Sequence, residues 1–370
     1  MAFLKFNKSE LVNLEYSLKR EIIAANETGA YCNTSIVACN TRRYHGLLAV
    51  PVDELGGGKY MLLSALDESL VLRGKQFNLG IHCYGDTYDP KGHKYIVDFD
   101  ADPVPVVTYK VGGILFTKTI MMVPDNDQVL IKYELIQAPA KVSLVLKPFL
   151  AFRSIHGLTH QNPEAYAGYD ELDGGVSFRL YDGFPNLHLQ TSAQAAFKYQ
   201  PYWYNGVTYS DEYRRGFDCR EDLFVPGAFS LDMKQGDSVV FSASVSEINP
   251  RGLKRKFTDT LKKLDPIDDY KDLLVHNAKK IIGSYIAEMN GIDVLIFTAG
   301  LGENNPRLRE KVCENLTYFG VEIDKELNAK MLRQSNIVKL STENSKVLVY
   351  LIPTNEELVI ATDTFRLTGK

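Results

Sequence analysis

Two short stretches hold the residue types that do chemistry. The first is Asn40-Thr41-Arg42-Arg43-Tyr44-His45-Gly46-Leu47-Leu48, shortly after Asn26-Glu27-Thr28-Gly29-Ala30-Tyr31. Planar guanidinium donors suit hydroxyl groups, and aromatic rings suit the apolar face of a pyranose. Arg42, Arg43, Tyr44 and His45 are therefore candidate carbohydrate contacts. Trp203, the one tryptophan, stands between Tyr202 and Tyr204 and is a candidate stacking platform. The second stretch is Gly300-Leu301-Gly302-Glu303-Asn304, directly after the apolar run Val294-Leu295-Ile296-Phe297. Its glycines let the backbone approach a ring or a phosphate. Free N–H groups at a helix start favour anions.

Each stretch also has a plainer reading. Arg42 and Arg43 can brace loops through carboxylates and carbonyls, with Tyr44 in the core and His45 a satisfied histidine; this is the commoner role for such residues. Trp203 with its two tyrosines can equally be a core corner. Gly300-Leu301-Gly302 can be a tight strand-to-helix turn. Gly56-Gly57-Gly58 reads as a loop between strands, and it lacks the Lys-Ser/Thr of a phosphate-binding loop.

The elements that must position these residues fall into two patterns. From Asn13 to Asn249 the chain reads as strands and turns. Val106–Lys110 and Ile114–Thr119 flank Gly112-Gly113, a hairpin signal. Gln128–Leu135, Lys141–Leu146, Gly175–Leu180, Leu187–Gln190 and Phe229–Val245 continue as strands, the last broken by a turn at Lys234–Asp237. After Pro250, Leu253, Phe257, Leu261 and Leu264 recur at helical spacing. A second helix is expected from Asp268 to Met289, with Tyr270, Leu274, Ile281, Tyr285 and Met289 inward. Val294–Phe297 then reads as a buried parallel strand. Asn305 and Pro306 open a helix with Leu308, Val312, Leu316 and Phe319 on its apolar face and Gly320 beyond it. Val347–Ile352 is the next strand, and Thr354 with Glu357 forms a capping box for a last helix.

The expected fold is all-β plus α/β: a large antiparallel β-sandwich, then helices, then a partial actin-like α/β fragment. The boundaries are residues 1–264 for the sandwich, 265–290 for a connecting helix and 291–370 for the α/β fragment. Bulk properties agree with an ordinary globular chain. Hydrophobic residues make up 45% and charged residues 24% of 370, which supports real cores. A net charge of −4 leaves no electrostatic footprint for nucleic acid or an anionic membrane. No apolar run is long enough to span a bilayer, and the N-terminus lacks a signal-peptide core. The five cysteines are odd in number and form no Cys-x-x-Cys pair, so reduced thiols and a cytoplasmic location are expected.

The Asn-x-x-Gly-x-Tyr turn at Asn26–Tyr31 and Thr41-Arg42-Arg43-Tyr44-His45-Gly46-Leu47-Leu48 resemble the N-terminal domain of glycogen debranching enzymes of the bacterial and archaeal amylo-α-1,6-glucosidase type. Pro201-Tyr202-Trp203-Tyr204-Asn205 and Asp222-Leu223-Phe224-Val225-Pro226-Gly227 are further matches, and the resemblance covers residues 1–275. It implies a β-sandwich that packs on an (α/α) barrel and helps shape a glucan site. In that family the catalytic carboxylates belong to the barrel, and the family pattern stops here where the barrel would begin.

From Lys279 onward the chain is similar to the C-terminal end of acetate kinases. Lys279–Tyr285, Asp293–Asn304 and Pro353–Leu358 carry the likeness over residues 279–370. The resemblance implies that Gly300, Gly302, Glu303 and Asn304 contact adenosine and that Glu356 helps hold Mg²⁺, with ATP and Mg²⁺ bound weakly. Phosphoryl transfer rests on positioning and charge stabilisation, and the kinase loops that hold acetate and the transferring phosphoryl have no match here. No catalytic residue is therefore assigned. An acetate-kinase-type phosphotransferase is the alternative. The join falls inside one helix, around Asn277 to Lys280, without a linker, which suits a frame joined from two genes. A sheet cut from a larger domain must end in an unpaired edge or find a partner, so self-association is expected.

Overall fold

The computed structural model describes residues 5–101, 103–263, 266–332, 334–354 and 364–367, without side chains for 266–273. Its backbone forms two compact units, residues 2–264 and 265–370.

In the first unit the described residues build a two-stranded sheet, His82–Tyr84 with Thr87–Asp89, and two large antiparallel sheets. One has nine strands in the order Lys5–Asn7, Ile96–Asp100, Val106–Val111, Ile114–Met122, Gln128–Gln137, Ser238–Ser244, Leu187–Thr191, Gly175–Phe178 and Asp170–Leu172. The other has Ala196–Thr208, Arg220–Met233, Val142–Ser154, Gly58–Leu72, Gly46–Val52, Tyr31–Ser35 and Glu21–Ala25 in that order, with Lys75–Asn78 paired to Gly58–Leu72. Gly112 and Gly113 turn the expected hairpin, both at positive φ (59° and 81°), as the tight turn between Val106–Val111 and Ile114–Met122 requires. Phe116, Ile131, Tyr133 and Phe241 from the first sheet meet Leu48, Leu63, Leu144 and Phe229 from the second in one apolar core. Burying such side chains stabilises the sandwich by about 1.5–3 kcal/mol each.

One ion pair crosses that core. Lys118 Nζ lies 2.6 Å from Glu68 Oε1, and both side chains are buried. The Tyr133 hydroxyl donates to the same carboxylate at 2.6 Å. Neither charge is legible in the alternation of its strand. Four of the five thiols are buried, Cys219 is half-buried, and all are free.

The helix Leu253–Lys263 closes this unit, and Leu253 and Phe257 are buried as their spacing predicts. In the second unit the helix Pro266–Glu288 runs unbroken through Asn277–Lys280. Its inward face differs from the expected one. Val275 and Ile286 are buried and Ala278 and Ile282 pack on the core, while Ile281, Tyr285 and Met289 are 55%, 56% and 60% exposed. Apolar residues surround this helix, so spacing alone supports two faces, and packing against Pro306–Cys313 selects one. Leu274 packs inward as expected; Tyr270 lies outside the described side chains.

The strand Val294–Phe297 runs parallel to Leu348–Leu351, and Val338–Lys339 joins antiparallel on the far side. That third strand and the helix Lys325–Lys330 carry too few apolar residues to be read from sequence. The expected burial of Val294–Phe297 holds on one face only. Phe297 is buried, but Val294 is 42% and Ile296 50% exposed. A parallel sheet is buried on both faces when helices cover both; the described helices pack with Leu295 and Phe297 on one side. Asn305 caps the helix Pro306–Cys313 by accepting from the Leu308 amide at 3.0 Å. Leu308, Val312 and Leu316 are buried, whereas Phe319 is 39% exposed. The α-helix stops at Cys313, and Gly320 ends a separate 3₁₀ turn, Thr317–Phe319, at φ 85°.

Candidate functional site

Arg42–His45 lies between the strands Tyr31–Ser35 and Gly46–Val52. Gly46 is closely packed there, with a Cβ position 2.0 Å from Met61 Sδ and 3.2 Å from the Leu63 carbonyl oxygen. The turn closes on itself. The His45 amide donates to the Arg42 carbonyl at 3.0 Å, and the Thr41 amide donates to His45 Nδ1 at 3.1 Å. His45 is fully buried with Nε2 3.4 Å from Glu21 Oε1. Burial pulls its pKa below the ordinary histidine value, against the opposing pull of Glu21.

Carboxylates from the strand Glu21–Ala25 and the short helix Ser210–Arg214 hold the two arginines. Arg42 Nε lies 3.0 Å from Glu21 and 3.5 Å from Asp211, whose Oδ2 also accepts from Thr41 Oγ1 at 2.7 Å. Arg43 Nη2 is 3.4 Å from the fully buried Glu212, and Nη1 donates to the His156 carbonyl at 3.1 Å. Beneath them Arg153 donates to the Arg43 carbonyl at 2.8 Å and grips Glu221 with Nε and Nη2. Glu221 also accepts from the Tyr209 hydroxyl and, at 3.1 Å, from the Thr159 amide. Two buried polar atoms beside this brace, Glu212 Oε2 and His45 Nε2, have no hydrogen-bond partner among the described residues.

The brace leaves a polar, aromatic surface. The Arg42 side chain is 44% exposed. Tyr44 is half-buried rather than core, with its hydroxyl 3.3 Å from His156 Nδ1 and its ring edge-on to the imidazole at 5.6 Å. Arg43 stands 5.1 Å over the exposed Phe217 ring. Guanidinium donors beside ring edges are suited to a hydroxyl-rich ligand. His156, Arg153, Asp211, Glu212 and Glu221 left no trace in the sequence pattern, because their partners lie 68 to 170 positions away.

Trp203 does not form one platform with Tyr202 and Tyr204. Alternation along Ala196–Thr208 sends Trp203 to the main core, where it meets Phe224 edge-on at 5.4 Å. Tyr202 and Tyr204 face the other way, where Lys147 Nζ donates to the Tyr204 hydroxyl at 3.0 Å. Among the described residues no hydrogen bond or ring contact joins Trp203 to Arg42–His45.

In the second unit, Thr298 links Val294–Phe297 to the short helix Ala299–Asn304. Gly302 is packed tightly, since a Cβ would lie 3.2 Å from the Phe297 carbonyl carbon; Gly300 has open space around it. Glu303 Oε1 accepts from both the amide and the hydroxyl of Thr354 at 2.8 Å. Those bonds hold its carboxyl below the usual carboxylate range. Asn304 Nδ2 donates to the Gly300 carbonyl at 3.0 Å. The fully buried Arg309 donates to the carbonyls of Gly302 at 2.7 Å, Glu303 at 3.0 Å and Met331 at 2.6 Å, and to Asn328 Oδ1 at 2.7 Å. Arg309 was not singled out by sequence; its one signal is its place on the otherwise apolar side of an amphipathic helix.

Glu356 and Glu357 lie outside the described residues. Among the described residues no cluster of three His, Cys, Asp or Glu side chains is placed to hold a metal ion. Within the glycine motif Glu303 Oε1 and Asn304 Nδ2 are engaged in internal bonds, and Gly300 keeps an open approach. No described helix is long and apolar enough to cross a membrane.

Comparison with known proteins finds two families, whose matches overlap at residues 233–240 inside the first unit. The acetokinase family model matches residues 233–362. The acetate kinase of Fusobacterium nucleatum subsp. nucleatum is 55% identical over 93 residues, covering 25% of this chain and 23% of that relative. The acetate kinase of Syntrophomonas wolfei subsp. wolfei is 51% identical over 96 residues, covering 26% and 23%. The chain thus spans about a quarter of the length of the curated relatives it matches. Among solved structures, acetate kinase of Porphyromonas gingivalis is 36% identical over 31% of this chain and 28% of that one, with a TM-score of 0.26. A bacterial glucoamylase complexed with acarbose is 9% identical over 65% of this chain and 36% of that one, with a TM-score of 0.33. The model described as glycogen debranching enzyme N terminal matches residues 20–240, more than half of the chain; the protein belongs to that family, and its sandwich continues into an acetokinase-family segment.

Proposed function

We propose that this chain is a glucan-associated β-domain fused to an incomplete nucleotide-binding module, and that it turns over neither glucan nor acetate. The observation that carries the first half is the Arg42–His45 turn. Its backbone and its deep polar atoms are fixed by Arg153, Glu212 and Glu221, while Arg42, Tyr44 and His156 reach the surface. Preorganised donors bind hydroxyls at low entropic cost. The second half is supported by the glycine motif, whose Glu303 and Asn304 side chains serve the local fold. Catalysis needs at least ~8 kcal/mol of transition-state stabilisation, more than one open glycine contributes. Weak ATP and Mg²⁺ binding, a cytoplasmic location and self-association through the strand Val294–Phe297 belong to the same reading.

A second reading, an acetate-kinase-type phosphotransferase, is favoured by the 55% identity over 93 residues. Three measurements on the purified chain separate them. The proposal expects maltooligosaccharide binding by calorimetry, no glucose release from branched glucan, and no acetyl phosphate from ATP and acetate. Acetyl phosphate formation abolished by Glu356→Ala would establish the second reading instead.

A further inference from the structure

A second concavity of the sandwich lies at the edge of the nine-stranded sheet, beside the hairpin Asp170–Leu172 and Gly175–Phe178. It is a groove in two connected parts. One part, of about 600 Å³, is lined by Tyr169, Phe197, Gln194, Asp173 and Arg251 among others. The other, of about 540 Å³, shares Asp173 and Arg251 and adds Glu247. These volumes lie in the range of small-molecule sites.

Its chemistry is specific. Among the described residues Asp173, Glu247 and Arg251 make no side-chain ion pair or hydrogen bond, although Asp173 and Arg251 line the same walls. All three are exposed, and they offer carboxylate acceptors and a five-donor guanidinium to a ligand. The mixed sign disfavours a polyanion. Tyr169 and Phe197 meet edge-on at 5.4 Å, and both are half-buried at the groove, which leaves apolar ring surface beside the charges.

The groove is also held rigidly. Gln190 donates to the carbonyls of Asp173 and Ile248 at 2.9 and 2.8 Å and accepts from the Ile248 amide at 3.0 Å, tying the two walls together. Gly175 sits where a Cβ would meet the Leu189 carbonyl at 2.0 Å, so the hairpin lies flat against its neighbour strand.

We propose that this groove is a second saccharide-binding site, for a neutral α-glucan chain, separate from the Arg42–His45 surface. It rests on the glucan reading above, and it predicts that the full chain binds maltoheptaose at a place the Arg42 motif does not touch. A neutral polyhydroxyl chain satisfies carboxylate and guanidinium at once without adding charge, and its apolar faces match the two rings.

The test is calorimetric titration of the full-length chain with maltoheptaose. Arg251→Ala and Asp173→Asn are both at exposed positions, and thermal melts equal to wild type establish that they fold. The expected result is about tenfold weaker binding for Arg251→Ala with Asp173→Asn, while Arg42→Ala leaves the groove component in place. If wild type binds, the groove variants bind equally well and Arg42→Ala abolishes binding, the groove site is wrong and the glucan reading stands. If wild type does not bind, both are wrong. An arginine-rich peptide that binds wild type, loses affinity with Glu247→Gln and is not displaced by maltoheptaose would make the groove a peptide site and overturn the proposal.

Discussion

Arg153 and Glu221 lie side-on beneath the Arg42–His45 turn, guanidinium Nε facing one carboxylate oxygen and Nη2 the other, the latter at 3.1 Å. Both side chains are buried. Through the same Nη2, Arg153 also holds the Arg43 carbonyl at 2.8 Å. One buried pair therefore sets the backbone of the candidate glucan surface.

Breaking that pair from one side leaves a charge without a partner. Glu221→Gln is expected to destabilise the sandwich by about 3–5 kcal/mol. Replacing both, Arg153→Met with Glu221→Leu, should cost less than the single change. Urea unfolding midpoints followed by Trp203 fluorescence read both values; a single variant as stable as wild type would show that the pair carries no such weight.

Arg309 should control the order of the glycine motif. It holds four carbonyls, two of them in the Ala299–Asn304 helix. Arg309→Met removes those bonds, at about 1–3 kcal/mol for each carbonyl left unsatisfied. Amide hydrogen exchange over residues 299–304 should accelerate, while exchange in the sandwich stays unchanged. Equal protection in the variant would contradict this role.

Acid should weaken the sandwich before carboxylates titrate. Burial holds the pKa values of His45, His93 and His188 below the ordinary 6.5. The unfolded chain then takes up protons first as pH falls. This contribution to stability is whole above 6.5 and is lost below it, through the folded values. Melting temperature should fall from pH 7 toward pH 5, and His93→Gln should flatten that slope. An unaltered slope would assign the loss to other groups.

The bare face of the second unit should promote association. Val294 and Ile296 are exposed on a strand whose outer edge has no neighbour among the described strands. Ile296→Lys places a charge on that face, the usual protection for an exposed edge. Sedimentation velocity is expected to show concentration-dependent association for wild type and less for the variant. Identical profiles would move the interface elsewhere.

Local signals in the chain determined much of the architecture. Gly112-Gly113 required a turn that few other residues make, Asn305-Pro306 marked a helix start, and the β-branched runs alternated with a period that admits no helix. Both motif stretches were legible as well, since each is contiguous. What tertiary structure decided is what each motif side chain touches. Ion pairs such as Arg43 with Glu212 join residues far apart in sequence, so no local pattern announces them. Glu303 looks free in the sequence and is bound to Thr354 in the fold. The helix Pro266–Glu288 carries Ile281, Ile282, Tyr285 and Ile286 around its circumference. Periodicity can say that such a helix buries a face, but only its neighbours choose which one, because burial is a property of the contact and not of the residue.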